Sequence, residues 1–336
     1  MVNALNALWI TWEHQRRSIV LSKVFETSFY ELNSPGNRLV KYLLLCIKTV
    51  RILIAIKPDV LFVQNPSIVL TFIACLYKKC FPKVVLVVDR HSNFFEVSTS
   101  TIINRLHTII SNVTLRSADL TIVTNAYLKQ LVESYGGNAL ILEDKIPELK
   151  KNTNLNLPGT YKFLYVCSFD SDEPYSAVIE AARRVGSDTY IYITGNYRKI
   201  KDTHSMSTLP QNLVMLGYLP DDEYIDYLYA ADAVIALTTW EHTLLCGAYE
   251  AVAAGKPLII SNKSDLIGYF NKGVIPVENT TQSLAQAMRC MIEEKQVRAK
   301  EIITLKTELN EDWKVKYSKV YETINALLLA QQRKGV

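Results

Sequence analysis

Asp232-Ala-Val-Ile-Ala-Leu-Thr-Thr-Trp-Glu-His-Thr-Leu-Leu-Cys-Gly-Ala-Tyr-Glu-Ala-Val-Ala-Ala-Gly-Lys-Pro-Leu-Ile-Ile-Ser-Asn262 reads as strand, polar loop, short helix and strand. Residues 234–237 form an apolar run that ends in a Thr-Thr pair, and 258–260 form a second that opens straight after Pro257. Such runs suit parallel strands buried on both faces. Residues 246–254 between them are rich in helix formers. Gly255 stands where a left-handed helix end needs no β-carbon, and Pro257 blocks continuation. This is half of a doubly wound α/β sheet.

A helix that opens beyond the carboxyl end of a parallel strand aims its first amides and positive dipole end at the crevice where such sheets bind ligands. Thr243, Leu244, Leu245 and Gly247 form that helix start, so an anionic ligand is expected there. Glu250 lies about one turn inside, and helix side chains lean toward the N-terminus. Its carboxylate would repel a phosphate but can accept two hydrogen bonds from a ribose diol. The expected ligand is a nucleotide, with its phosphates on the helix start and its ribose on Glu250.

The run Glu250-Ala-Val-Ala-Ala-Gly-Lys-Pro257 resembles the donor-site signature of GT-B glycosyltransferases of the retaining family four, the group 1 enzymes. That resemblance implies two Rossmann-like doubly wound domains facing across a cleft. The family signature carries another Glu eight residues earlier. Here position 242 is His, with Glu241 beside it, so Glu241 and His242 are placed near the sugar and phosphates. Gln64-Asn-Pro66 and Asp89-Arg-His91 resemble the first domain of the same enzymes, and of the mannosyltransferases that extend chitobiosyl lipid. By that likeness His91 faces the donor sugar. Tyr218, after the run 212–217, falls in a segment whose backbone holds the base in family-four enzymes.

In one respect the pattern departs from the family. Those enzymes place an Arg and a Lys after the first strand of the second domain, whereas this chain has Ser168-Phe-Asp-Ser-Asp-Glu-Pro174. The diphosphate is then left to backbone amides, to Arg198 or Lys199 after Gly195-Asn196, to His242, or to a divalent ion on Asp170, Asp172 or Glu173. Backbone amides with Arg198 and His242 are the expected set, with no cofactor or metal required. Ser168, Gly195 and Asn196 are assigned to the nucleotide-sugar site with them.

At 336 residues and 49% hydrophobic, the chain can bury two cores. Polar, breaker-rich residues 150–159 suggest a linker. The expected division is 1–152 as the acceptor-side domain, 153–310 as the nucleotide-sugar domain, and 311–336 as a helix crossing back. Charge shifts at the same place: residues 1–157 hold 18 Lys/Arg against 11 Asp/Glu, and the remainder 19 against 22. No stretch reads as a signal peptide or as an apolar run of spanning length. The six cysteines lack metal-type spacing, which implies a reducing, cytoplasmic setting.

Glu13 and His14 follow the first strand, read over 4–11, and are candidates for acceptor contact or proton transfer, or for a solvated loop. Residues 38–56 form a basic amphipathic helix with Arg38, Lys41, Lys48 and Arg51 in an arc of about 140°. It reads either as a core helix with a solvated face or as a contact to anionic lipid on the inner face of a membrane. Nucleic acid is not an expected partner, because the basic residues lie on apolar helices without interleaved exposed aromatics.

The expected function is hexosyl transfer from a UDP or GDP sugar to a glycan or lipid-linked acceptor, in polysaccharide or glycoconjugate synthesis. The resemblance implies retention, in which the leaving phosphate takes the proton. Inversion would need a base such as Glu13, Asp89 or Glu96. The rival readings are a degenerate subunit that supports a partner transferase, and a GT-B-type nucleotide-sugar epimerase or hydrolase.

Overall fold

The computed structural model describes residues 6–65, 67–91, 101–200 and 209–333. Pro66, Glu96, residues 4–5 of the expected first strand and the Arg38 side chain lie outside the described part. The chain divides into two compact units, one of residues 1–145 with 312–336 and one of residues 146–311.

The first unit runs β1 (Ala7–Thr11), α1 (Arg16–Val24), β2 (Ser28–Glu31), α2 (Arg38–Ile56), β3 (Val60–Asn65), α3 (Ile68–Cys80), β4 (Val85–Arg90), α4 (Thr101–Ser117), β5 (Leu120–Val123), α5 (Ala126–Ser134) and β6 (Ala139–Ile141). Its six strands are all parallel, in the order β2-β1-β3-β4-β5-β6. Alternation along the strands sends Trp9, Phe62, Val85 and Val87 to one core and Leu8, Ile10, Leu61, Val63, Leu86 and Val88 to another. That two-sided burial is why the strands read as unbroken apolar runs.

The second unit runs β7 (Tyr161–Tyr165), α6 (Tyr175–Ala182), β8 (Thr189–Thr194), β9 (Leu213–Gly217), α7 (Asp221–Ala230), β10 (Ala233–Ala236), α8 (Cys246–Ala253), β11 (Leu258–Ser261), α9 (Ser264–Tyr269) and β12 (Val274–Val277), followed by α10 (Thr281–Arg333). Its parallel sheet has the order β12-β11-β10-β7-β8-β9. Successive strands step outward from β7 on one side and from β10 on the other, so the order reverses between these two neighbours. At such a switch point the loops leave in opposite directions and open a crevice.

Two features differ from the sequence reading. Helix α10 begins at Thr281, about thirty residues before the expected start, because residues 281–333 contain no Gly or Pro to break it. Its residues from Asp312 belong to the first unit, where Trp313 donates to the Glu143 carbonyl (3.0 Å) and Tyr317 to that of Val24 (3.1 Å). The unit boundary lies at 145/146, because the polar segment that follows packs on the second unit. Ile146 is in its core, and the Asp226 carboxylate accepts from the Asn152 amide (2.8 Å), the Thr153 amide (3.0 Å) and the Thr153 hydroxyl (2.6 Å).

Candidate functional site

Loops 166–174 after β7 and 237–245 after β10 flank the switch point of the second unit. They are joined directly. The Asp172 carboxylate accepts from the Thr238 hydroxyl (2.6 Å), and the Asp172 carbonyl accepts from the Thr239 amide (2.7 Å). Ser261 at the end of β11 braces the second loop, its hydroxyl accepting from the Thr238 amide at 2.9 Å.

Helix α8 starts at this point. Its N-cap, Leu245, has no acceptor side chain to offer the first amides. Gly247 lets the helix come close, since a Cβ there would stand 2.9 Å from the Val166 side chain. At the other end Gly255 has φ +69°, with its amide on the Val252 carbonyl (3.1 Å) and that of Lys256 on Ala251 (2.8 Å). This is the left-handed stop expected at that glycine.

Glu250 is only 6% exposed, and its carboxylate accepts a hydrogen bond from the hydroxyl of Tyr224 in α7. Tyr224 was not visible as a site residue in the sequence, because its only signal is a tyrosine in the first half of an acidic helix.

Glu241 and His242 turn toward the loop after β11. Glu241 pairs with Lys263, and His242, at φ 58°, sets its Nδ1 2.7 Å from an Asp265 oxygen. Thr243 donates to the Glu241 carbonyl at 3.3 Å, while Leu244 and Leu245 pack on the second unit's core. At the carboxyl ends of β8 and β9 the Gly195 amide donates to Gly217 (2.8 Å), and the next residue, Tyr218, is 84% exposed. The Asn196 side chain caps a short turn by accepting from the Arg198 amide (3.2 Å), and Arg198 is exposed.

Lys199, by contrast, pairs with Asp170 at 2.8 Å and holds that carboxyl below its ordinary range. Asp170 and Glu173 share the Ser168 hydroxyl while Asp172 turns to Thr238, and among the described residues no three metal-type side chains gather.

Glu13 and His91 lie in the first unit, beyond the carboxyl ends of β1 and β4. Glu13 is exposed, and its neighbour His14 pairs with Glu31 at 2.9 Å. His91 Nδ1 stands 3.6 Å from Asp89, which is fully buried and gripped by Arg17 from α1. Arg17 donates to Asp89 through Nε (3.0 Å) and Nη2 (2.8 Å), to Asp144 (2.5 Å) and to the Leu142 carbonyl (2.9 Å). Burial pushes the Asp89 carboxyl up, but the guanidinium outweighs it and holds the group at about 2.

Residues 147–305 match the family described as Glycosyl transferases group 1. That match spans nearly all of the second unit and just under half of the chain. Over both units the chain has the GT-B fold of two Rossmann-like domains. It is similar to HepE of Anabaena in complex with UDP-glucose, at 14% identity and TM-score 0.70, over 96% of this chain and 100% of that one. It is also similar to the α,α-trehalose 6-phosphate synthase of Burkholderia multivorans, at 10% identity and TM-score 0.69, over 99% and 98%. A third likeness is to a putative UDP-N-acetylglucosamine 2-epimerase of Listeria monocytogenes, at 12% identity and TM-score 0.64, over 89% and 91%. No curated protein sequence matches the chain at a significant level.

Helix α2 of the first unit shows an unexpected face. Its inner side buries Leu45, Thr49 and Leu53, while its outer side exposes Leu39 (85%), Leu43 (62%), Ile47, Val50 and Ile54 (57%). These five fall within an arc of about 80°, and Arg51, Lys48 and Lys41 occupy a neighbouring arc of equal width. The sequence leaves open a core helix with a solvated face or a lipid contact; the helix is apolar on both sides and contains no acidic residue. No described helix is long and apolar enough to cross a membrane.

Proposed function

We propose that the protein transfers a hexosyl group from a nucleoside diphosphate sugar, of the UDP or GDP type, to a glycan or lipid-linked acceptor. The observation that carries this reading is the start of α8 at the switch point of the unit that matches the group 1 glycosyl transferases, with the buried Glu250 carboxylate one turn inside it. The amides at that start take the diphosphate, where negative charge grows as the glycosidic bond breaks. Glu250 accepts from the ribose diol, and Tyr218 lies beside the base. Glu241, His242, Arg198 and Ser168 line the phosphate and sugar end. In the first unit, His91 and Glu13 serve the sugar and the acceptor. We assign retention, with the leaving phosphate taking the acceptor proton.

HepE, crystallised with UDP-glucose, shares the fold, which supports a UDP sugar as the first donor to test. The epimerase likeness is one of fold alone, and the group 1 family match favours transfer.

Thermal unfolding against UDP, GDP, ADP and CMP sugars tests the reading. A donor at 100 times its dissociation constant adds about 2.7 kcal/mol of stability. A rise in melting temperature for one nucleotide class is the expected result. No rise with any of them would favour a degenerate subunit that supports a partner enzyme, and donor turnover without acceptor would favour an epimerase or hydrolase.

The outer face of α2 favours a peripheral seat on an anionic membrane, where a lipid-linked acceptor would reside. An apolar stripe with a cationic flank and no acid suits burial of the stripe at the headgroup boundary. The protein should sediment with vesicles containing phosphatidylglycerol. The paired substitution Leu43→Asp with Ile47→Asp should abolish sedimentation, and Lys48→Ala with Arg51→Ala should weaken it. Equal sedimentation with phosphatidylcholine vesicles would refute an anionic surface.

A further inference from the structure

The loop after β7 is built around its own anion. Phe169 adopts φ 60°, and the amides of Ser168 and Asp170 converge on the Glu173 carboxylate, each at 2.9 Å to the same oxygen. The Ser168 hydroxyl lies between that oxygen (3.0 Å) and the Asp170 carboxylate (2.8 Å), with one proton for the two, and the Cys167 thiol approaches to 3.4 Å. Successive amides arranged around a concavity are the device by which loops of this kind hold phosphate. The buried Tyr165 hydroxyl lies beside the Cys167 thiol. Burial, with Cys167 and Glu173 beside it, pushes that phenol well up, so it remains a donor.

The loop is fixed in place on three sides. Gly195 packs so tightly that a Cβ there would stand 2.1 Å from the Cys167 carbonyl oxygen, Asp172 ties the loop to Thr238, and Val166 abuts Gly247 of α8. The nest therefore lies next to the start of α8.

We propose that Glu173 is a specificity-determining residue of the donor site, its carboxylate filling the nest of residues 168–170 and barring a phosphate group from it. The diphosphate is thereby confined to the start of α8. The inference rests on the donor-site reading above, and it explains why a loop with three acids and no cation can border a site for an anion. Those acids are consumed internally, by Lys199, by Thr238 and by the loop's own amides.

Glu173→Ala empties the nest and removes its charge. Titration calorimetry of wild type and variant with UDP, GDP and ADP, each beside its nucleoside, tests the role. The variant should bind the preferred diphosphate at least about tenfold more tightly, the scale set by one charge-assisted contact, with nucleoside affinity unchanged. Equal diphosphate affinity in the two chains, or a change shared with the nucleoside, would overturn the role of Glu173 and leave the donor site standing. Absence of binding to either chain would overturn both.

Discussion

Arg17→Met is expected to lower the stability of the first unit by about 3–5 kcal/mol, the cost of leaving one partner of a buried ion pair alone. Arg17 and Asp89 are both fully enclosed, and the guanidinium fork also satisfies Asp144 and the Leu142 carbonyl. Methionine fills much of the volume and supplies none of the donors. The pH dependence follows from the direction of the Asp89 shift. Its folded value, about 2, lies below the ordinary carboxylate value, so the pair's contribution is fully present above about pH 4 and is lost as pH falls through about 2. In the variant, burial is opposed only by His91 and the Asp89 carboxyl moves up from its value beside Arg17, so protonation relieves the defect. The deficit should therefore be largest at neutral pH and shrink toward pH 4. Scanning calorimetry at pH 7.5 and pH 4.5 gives both numbers, and a deficit independent of pH would show that lost packing dominates.

Glu250→Ala should weaken nucleotide binding by about 1–3 kcal/mol, or roughly five- to more than a hundredfold, the scale of hydrogen bonds to a charged group. Because the proposed partner is the ribose diol, the free nucleoside should lose as much as the diphosphate. A 2′-deoxynucleotide should be less sensitive to the substitution. Glu250→Gln keeps one acceptor oxygen and should fall between. This pattern is the reverse of that expected at Glu173, where only the phosphorylated ligand responds, so the two carboxylates can be told apart by one set of titrations. Unchanged affinity of Glu250→Ala would remove the residue from the site. Because the Tyr224 hydroxyl loses its acceptor in the variant, the melting temperature should be measured alongside.

The sequence was sufficient to read residues 232–262 as strand, loop, helix and strand, and to place the helix stop at Gly255. Those signals are local: apolar runs, helix formers and a glycine that adopts φ +69°. The same locality explains what was passed over. The strand Ser28–Glu31 sits at a sheet edge with mostly exposed residues and carries no apolar run to find. Helix α10 is legible only at its aromatic end, since residues 281–310 mix charged and apolar positions without a breaker.

The candidate site divides in the same way. Glu250, Gly247 and the start of α8 were legible because their meaning comes from position within one helix. What Glu241, His242, Asp172 and Glu173 do with their charges was not, because each partner is supplied by packing. Lys263 and Asp265 lie more than twenty residues beyond their partners, and Thr238 is 66 residues from Asp172. Arg17 and Asp89 are 72 apart. Strand order set the switch point that brings loops 166–174 and 237–245 together, and no periodicity in the chain encodes that order. Likewise the pattern of α2 specified an amphipathic helix, while only its packing through Leu45 and Leu53 decided which apolar residues face outward. Local hydrogen bonding and side-chain period determined the elements of this protein. Burial of those elements against one another determined which charges meet, which amides are filled, and which apolar residues stay exposed.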